Sequence, residues 1–150
     1  MTKSVYLSVD MEGITGLTHA EELTVDTPGW QQARRWMTAD VVAAAEGAMA
    51  AGATRVVVVD GHAGMRNVLF DEMPRGVELH RGPASGRRMC QVEGLDDSYA
   101  AVLCVGYHSR AGTAGLLSHT WHGGMVLEKR LGGRAIGETA ITAAISGHHA

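Results

Sequence analysis

The sequence predicts an α/β fold: a mostly parallel sheet with flanking helices, three layers, and a metal site at the carboxyl ends of the strands. Three observations predict it. Arg55-Val56-Val57-Val58-Val59-Asp60 is an unbroken β-branched run, the pattern of a strand buried on both faces in a parallel sheet. A segment of helical period precedes it, and a short apolar run precedes that, so the three make a βαβ unit. Several apolar runs end in Asp, Glu or His, at the edge where open α/β sheets bind ligands.

Residues 5–10 form the first expected strand, Val5-Tyr6-Leu7 being rich in strand formers. Residues 14–26 read as a loop. Thr27-Pro28 opens a helix, with Thr27 as N-cap and Pro28 at the first helical position. Trp30, Met37, Val41, Ala44 and Ala48 then recur at helical spacing, and Gly52 closes the helix. After the strand at 55–60, residues 65–73 are weakly helical and Val77 to His80 is a third strand. Gly82 to Arg88 is a loop, and residues 91–97 are turn-rich, leading into a short helix. Ala100 to Gly106 reads as another buried strand, with Tyr107-His108 at its end. A polar loop, 113–122, holds Ser118, His119 and His122. Met125 to Leu127 and Arg134 to Ile136 are candidate paired strands around Gly132-Gly133. A last helix runs from Gly137 to Gly147, with Ile136, Ala140, Ile141, Ala144 and Ile145 in period.

The 150 residues suit one domain, and 45% apolar residues suffice for a core. A net charge of −3 with 13 basic residues argues against a nucleic-acid partner. The first acid, Asp10, comes too early for a signal-peptide core, and no apolar run spans a bilayer, so no membrane partner is expected. Cys90 and Cys104 are not spaced as a metal pair. Cys104, inside an apolar run, reads as a small buried hydrophobe. Free thiols fit a cytoplasmic protein.

Asp10 and Glu12 are two residues apart, on one side of an extended chain and roughly 6.5 Å from each other. Two such carboxylates repel unless a cation lies between them, and a divalent metal is the natural one. The second strand ends in Asp60 and His62, the fourth in His108, and Glu138 opens the last helix. Asp10, Glu12, His62, His108 and Glu138 offer oxygen and imidazole but no thiolate, which suits zinc, or manganese or iron. Five ligands exceed what one catalytic zinc takes and divide sensibly over two ions about 3.5–4 Å apart, with Asp10 as the bridging carboxylate. Asp60 has two other readings, fixing a turn or orienting His62, and Glu138 can simply favour the positive end of its helix.

Six motifs stand in order over nearly the whole chain. They are Ser8-Val9-Asp10-Met11-Glu12-Gly13-Ile14, Asp60-Gly61-His62-Ala63-Gly64-Met65-Arg66-Asn67, Val92-Glu93-Gly94-Leu95-Asp96, Gly106-Tyr107-His108-Ser109-Arg110-Ala111, Leu117-Ser118-His119 and Ile136-Gly137-Glu138. Together they resemble the D-aminopeptidase (DppA-type) family of zinc metallopeptidases. The resemblance implies two Zn2+ ions per subunit on Asp10, Glu12, His62, His108 and Glu138, and a catalytic His119 acting as base, acid or nucleophile. It further implies hydrolysis of short peptides with an N-terminal D-amino acid, of D-Ala type, in a homo-oligomeric ring. Family members are longer and continue past this last helix, so residues 1–150 read as one metallopeptidase domain, incomplete at its carboxyl end relative to the family. A non-catalytic metal-binding or assembly fragment is the alternative from another class. A binuclear hydrolase of another amide or of a phosphoester is the other alternative. Arg110 is a candidate for a substrate carboxylate.

Overall fold

The computed structural model describes residues 3–82 and 90–148. Of the loop expected over Gly82 to Arg88, all but Gly82 lies outside the described residues. His149 lies outside them as well.

Four parallel strands form one sheet: β1 (Ser4–Val9), β2 (Arg55–Asp60), β3 (Val77–His80) and β4 (Tyr99–Val105), in the order β3-β2-β1-β4. The expected three-layer α/β architecture is what the chain adopts. Helix α1 (Pro28–Ala50) covers one face. Thr27 caps it, its hydroxyl accepting the Trp30 N–H at 3.2 Å. Its buried stripe Trp30, Ala33, Met37, Val41 and Ala45 packs on Leu7, Val9, Val56 and Val58. The alternate side chains Tyr6, Val57 and Val59 point to the other face, against Val92 and Leu95. Burial on both sides is why β2 needs a continuous valine run. Each such side chain contributes about 1.5–3 kcal/mol on burial. Helix α2 (Glu138–His148) lies against β4 on that second side of the molecule. No helix among the described residues is long and apolar enough to cross a membrane.

Several local expectations are corrected. Strand β4 is not buried; it is the sheet's edge, with Leu103 38% exposed and Cys104 an exposed free thiol. Residues 65–73 hold only a 3-10 turn at Phe70–Glu72, and Cys90–Val92 is likewise a 3-10 turn with no helix before Tyr99. The hairpin pairs β5 (Arg130–Leu131) with β6 (Arg134–Ala135), not with Met125 to Leu127, because the two-residue turn Gly132-Gly133 fixes the register from the turn outward. Met125 and Leu127 are left exposed.

The strand order matters for function. The chain runs from β1 outward through β2 to β3, then returns to the other side of β1. The carboxyl ends of β1 and β4 therefore flank a topological switch point, where open α/β sheets form their crevice. Two glycines make that junction tight. Gly106 has φ +70, and a Cβ there would collide with the Asp10 carbonyl; one on Gly13 would collide with the Tyr107 carbonyl. The Asp10 N–H donates to Val105 O and the Gly13 N–H to Gly106 O, both at 2.8 Å.

Candidate metal centre

Strand β1 ends at Val9, so Asp10 and Glu12 sit in a turn rather than on an extended strand. The turn forms because Asp10 Oδ1 accepts the Met11 N–H at 2.9 Å and Gly13 passes under Tyr107 without a side chain. Strand alternation is therefore not what brings the two acids together. They converge on one atom: His62 Nδ1 lies 3.2 Å from Asp10 Oδ1 and 3.0 Å from Glu12 Oε2.

His62 follows β2 and is placed by Asp60. The Asp60 carboxylate is fully buried and accepts from Asn67 N (2.6 Å), Asn67 Nδ2 (3.0 Å) and Val68 N (2.8 Å). Asn67 Nδ2 also donates to His62 O at 2.8 Å, while Trp30 Nε1 donates to Asn67 Oδ1 and Arg34 Nε to Asn67 O. Of the readings open for Asp60, the turn anchor is the one the geometry shows. The same bonds explain why 65–73 does not become a helix: its first amides are committed to a buried acid.

His108, after β4, donates from Nδ1 to Ser109 O at 2.9 Å. A carbonyl only accepts, so Nδ1 carries the proton and Nε2 faces the acids, 3.4 Å from Asp10 Oδ2 and 3.3 Å from Glu138 Oε1. Glu138 is the first residue of α2. Its Oε1 accepts the Trp121 N–H at 2.5 Å and its Oε2 the Gln91 Nε2 at 3.1 Å. His119 stacks on His108 with centroids 3.6 Å apart. Its Nδ1 donates to Leu117 O at 2.6 Å, leaving Nε2 toward Glu12 Oε1 at 3.7 Å.

All six sequence-predicted site residues thus meet at one sheet edge. Their ligand atoms fall into two groups, each within 4.8 Å: Asp10, Glu12 and His62, and His108, His119 and Glu138. Asp10 stands between the groups, one carboxylate oxygen toward each histidine.

The electrostatics call for a cation. Burial pushes the Asp10 carboxyl up to about 6, the Glu12 charge adding to it while His62 opposes. Burial also opposes charge on Glu12, but the neighbouring His62 holds that carboxyl well below its usual range. For His62, burial opposes the proton, yet Asp10 and Glu12 outweigh it and raise the imidazole to about 10. His108 is likewise raised, to about 9, by Glu138, Ser109 O and Asp10 against its burial. Without a metal these rings hold protons only because acids surround them. His62 is close to Glu12 Oε2 but is not aligned as a hydrogen-bond donor to it. Among the described residues, that oxygen is the buried side-chain oxygen lacking a hydrogen-bond partner. An unsatisfied buried oxygen, imidazole nitrogens gathered among carboxylates and an N/O donor set without sulfur all fit zinc.

The residues open on a cavity of about 770 Å3, whose wall includes Gln91, Val92, Trp121, His122, Ile141 and Thr142. Sequence reasoning did not single out Gln91 or Trp121. Neither carries a local pattern, and each bonds Glu138, 47 and 17 positions away. Arg110 does not line the cavity; its Nη1 donates to Ala111 O at 3.0 Å.

Comparison with known proteins gives the chain's family. A family model described as D-aminopeptidase matches residues 3–150. The D-aminopeptidase of Bacillus subtilis (strain 168) is 33% identical over 145 residues, covering 97% of this chain and 52% of that protein. A solved structure, the Zn-dependent D-aminopeptidase DppA from Bacillus subtilis, described as a self-compartmentalizing protease, superposes with a TM-score of 0.91 at 32% identity. The match covers 97% of this chain and 52% of that one. The chain spans about half the length of the relatives it matches. With the family model matched over nearly its whole length and a relative at 33% identity, this chain belongs to the D-aminopeptidase family.

Proposed function

We propose that this chain carries the active centre of a binuclear zinc-dependent aminopeptidase that hydrolyses short peptides with an N-terminal D-amino acid. The observation that carries the reading is the convergence of Asp10, Glu12, His62, His108 and Glu138 from four separate segments, with His119 stacked beside them. Asp10, Glu12 and His62 would hold one ion and His108 and Glu138 the other, with Asp10 shared. When bound there, zinc supplies Lewis-acid chemistry, drawing electron density from the scissile carbonyl.

The chain's own groups do the rest. His119 Nδ1 is locked to Leu117 O, so its Nε2 lone pair is the one available at the cavity. Nε2 takes a proton from the attacking water and returns it to the leaving amine. The stack on His108 and the Ser109 O–His119 N bond (3.1 Å) hold the ring in that orientation. Glu12 Oε1, 3.7 Å away, favours the imidazolium that forms. A cavity of about 770 Å3 suits a short substrate. The self-compartmentalizing relative supports a homo-oligomeric ring, and the free Cys104 thiol is in keeping with a cytoplasmic setting.

The test is hydrolysis of D-Ala-D-Ala against L-Ala-L-Ala by zinc-loaded protein. The D-peptide is expected to be cleaved in strong preference. Equal cleavage of both would refute the D-specific reading. A folded, zinc-containing chain that cleaves neither would favour a metal-binding assembly fragment, a reading to which the half-length match gives weight.

A further inference from the structure

We propose that Gln91 is a positioning residue of the metal centre: its side-chain amide holds the Glu138 carboxylate so that Glu138 Oε1 stays turned toward His108. The inference rests on the zinc reading above and names what tunes the affinity of the ion that His108 and Glu138 would hold.

The Gln91 backbone is tied to both strands that lead into the centre. Ser8 Oγ donates to Gln91 O at 2.8 Å. A hydroxyl has one proton to give, so in the 2.6 Å bond between Ser8 and Tyr107 the Tyr107 O–H is the donor. Ser8 stands two residues before Asp10, and Tyr107 immediately before His108. Tyr6 Oη donates to the same Gln91 carbonyl at 3.3 Å. Gly61, between Asp60 and His62, makes room for the side chain: a Cβ there would lie 2.5 Å from Gln91 Cβ. One frame of bonds and close contacts therefore sets Gln91 against the segments that carry Asp10, His62 and His108.

From that place Gln91 Nε2 reaches Glu138 Oε2 at 3.1 Å, and both residues line the cavity. A carboxylate only accepts, so the amide NH2 faces it. The Trp121 N–H takes the other oxygen, Oε1, which lies 3.3 Å from His108 Nε2. A carboxylate's last torsion is soft, and one donor leaves the group free to swing about that bond. A second donor on the other oxygen fixes its plane. The choice of residue suits a cation site. A lysine or arginine in place of Gln91 would repel an entering ion and compete with it for Glu138, whereas a neutral amide orients the acid and leaves its charge to the metal.

The experiment is a double-mutant cycle read by zinc affinity, measured on metal-free protein by competition against a chelator. Gln91→Met keeps the length and loses the donor. It is expected to lower the overall zinc affinity about 10–100-fold, the range for a lost supporting partner. In a Glu138→Ala background, where Asp10, Glu12 and His62 remain, the same substitution should change affinity by less than about twofold. Circular dichroism of the metal-free proteins reads folding, and Gln91→Leu, a second side chain without a donor, repeats the cycle if Gln91→Met folds poorly. An unchanged affinity in the folded variant overturns the proposal. So does a loss that persists without Glu138, which would show that Gln91 acts through its packing on Gly61. The titration needs no turnover, so the two levels separate. A Glu138-dependent loss upholds the role of Gln91 even if no peptide is cleaved. Cleavage of D-Ala-D-Ala with a zinc affinity indifferent to Gln91 removes that role and leaves the peptidase reading intact.

Discussion

Replacing His119 by alanine is expected to lower kcat by about 10²–10⁴-fold, the range for losing a positioned general base, while zinc content stays at its wild-type level. The reasoning is geometric. Nδ1 is spent on Leu117 O, and Nε2 is the nitrogen that faces Glu12 and the cavity. The stack on His108 fixes the plane without a bond to the ligand atoms. Metal analysis beside steady-state kinetics checks this. The same 4.8 Å cluster that contains His108 and Glu138 also contains His119. A parallel loss of zinc would therefore show His119 to be a ligand and would refute its assignment as the proton carrier.

Asp10→Ala is expected to remove both zinc binding and turnover. Asp10 meets His62 with one oxygen and His108 with the other, so its loss opens both halves of the centre at once. Zinc affinity should fall by more than the 10–100-fold typical of a lost supporting partner. The fold should survive, because the residue's local structural bond is a single acceptor for Met11 N, worth about 1 kcal/mol. Competition against a chelator, with circular dichroism for folding, reads both. Retention of one tightly held zinc in a folded Asp10→Ala protein would show that Asp10 is not shared between the ions.

Some of this was legible in the sequence for identifiable reasons. Thr27-Pro28 is a helix start in any context, and a valine run with no polar face requires burial on both sides. The convergence of the candidate ligand residues was legible because parallel strands deliver their carboxyl ends to one edge. The errors have equally local causes. Tyr99 to Val105 is as apolar as a central strand, but lateral position in a sheet is not written in a strand's own residues; it is set by where the chain returns. Met125 to Leu127 has strand propensity, yet the glycine turn selects its immediate neighbours as partners. Asp10 and Glu12 were paired correctly but on the wrong geometry, since the Asp10 side chain bonds its neighbour's amide and turns the chain early. Gln91 and Trp121 gave no signal, because their contacts with Glu138 join segments that no spacing rule connects.

Zinc stoichiometry of the purified chain, titrated to saturation at about pH 8 and repeated at lower pH, addresses the centre itself. Two ions per chain are expected. Their binding should tighten with pH, because His62 and His108 hold protons at pKa values of about 10 and about 9 in the metal-free site. Between about pH 6, where the Asp10 carboxyl also begins to hold a proton, and about pH 9, two protons should leave as the ions enter, so the logarithm of the overall affinity should rise by about two per pH unit there. A chain that saturates at one zinc, or whose affinity is flat with pH, would contradict a binuclear centre built on these histidines.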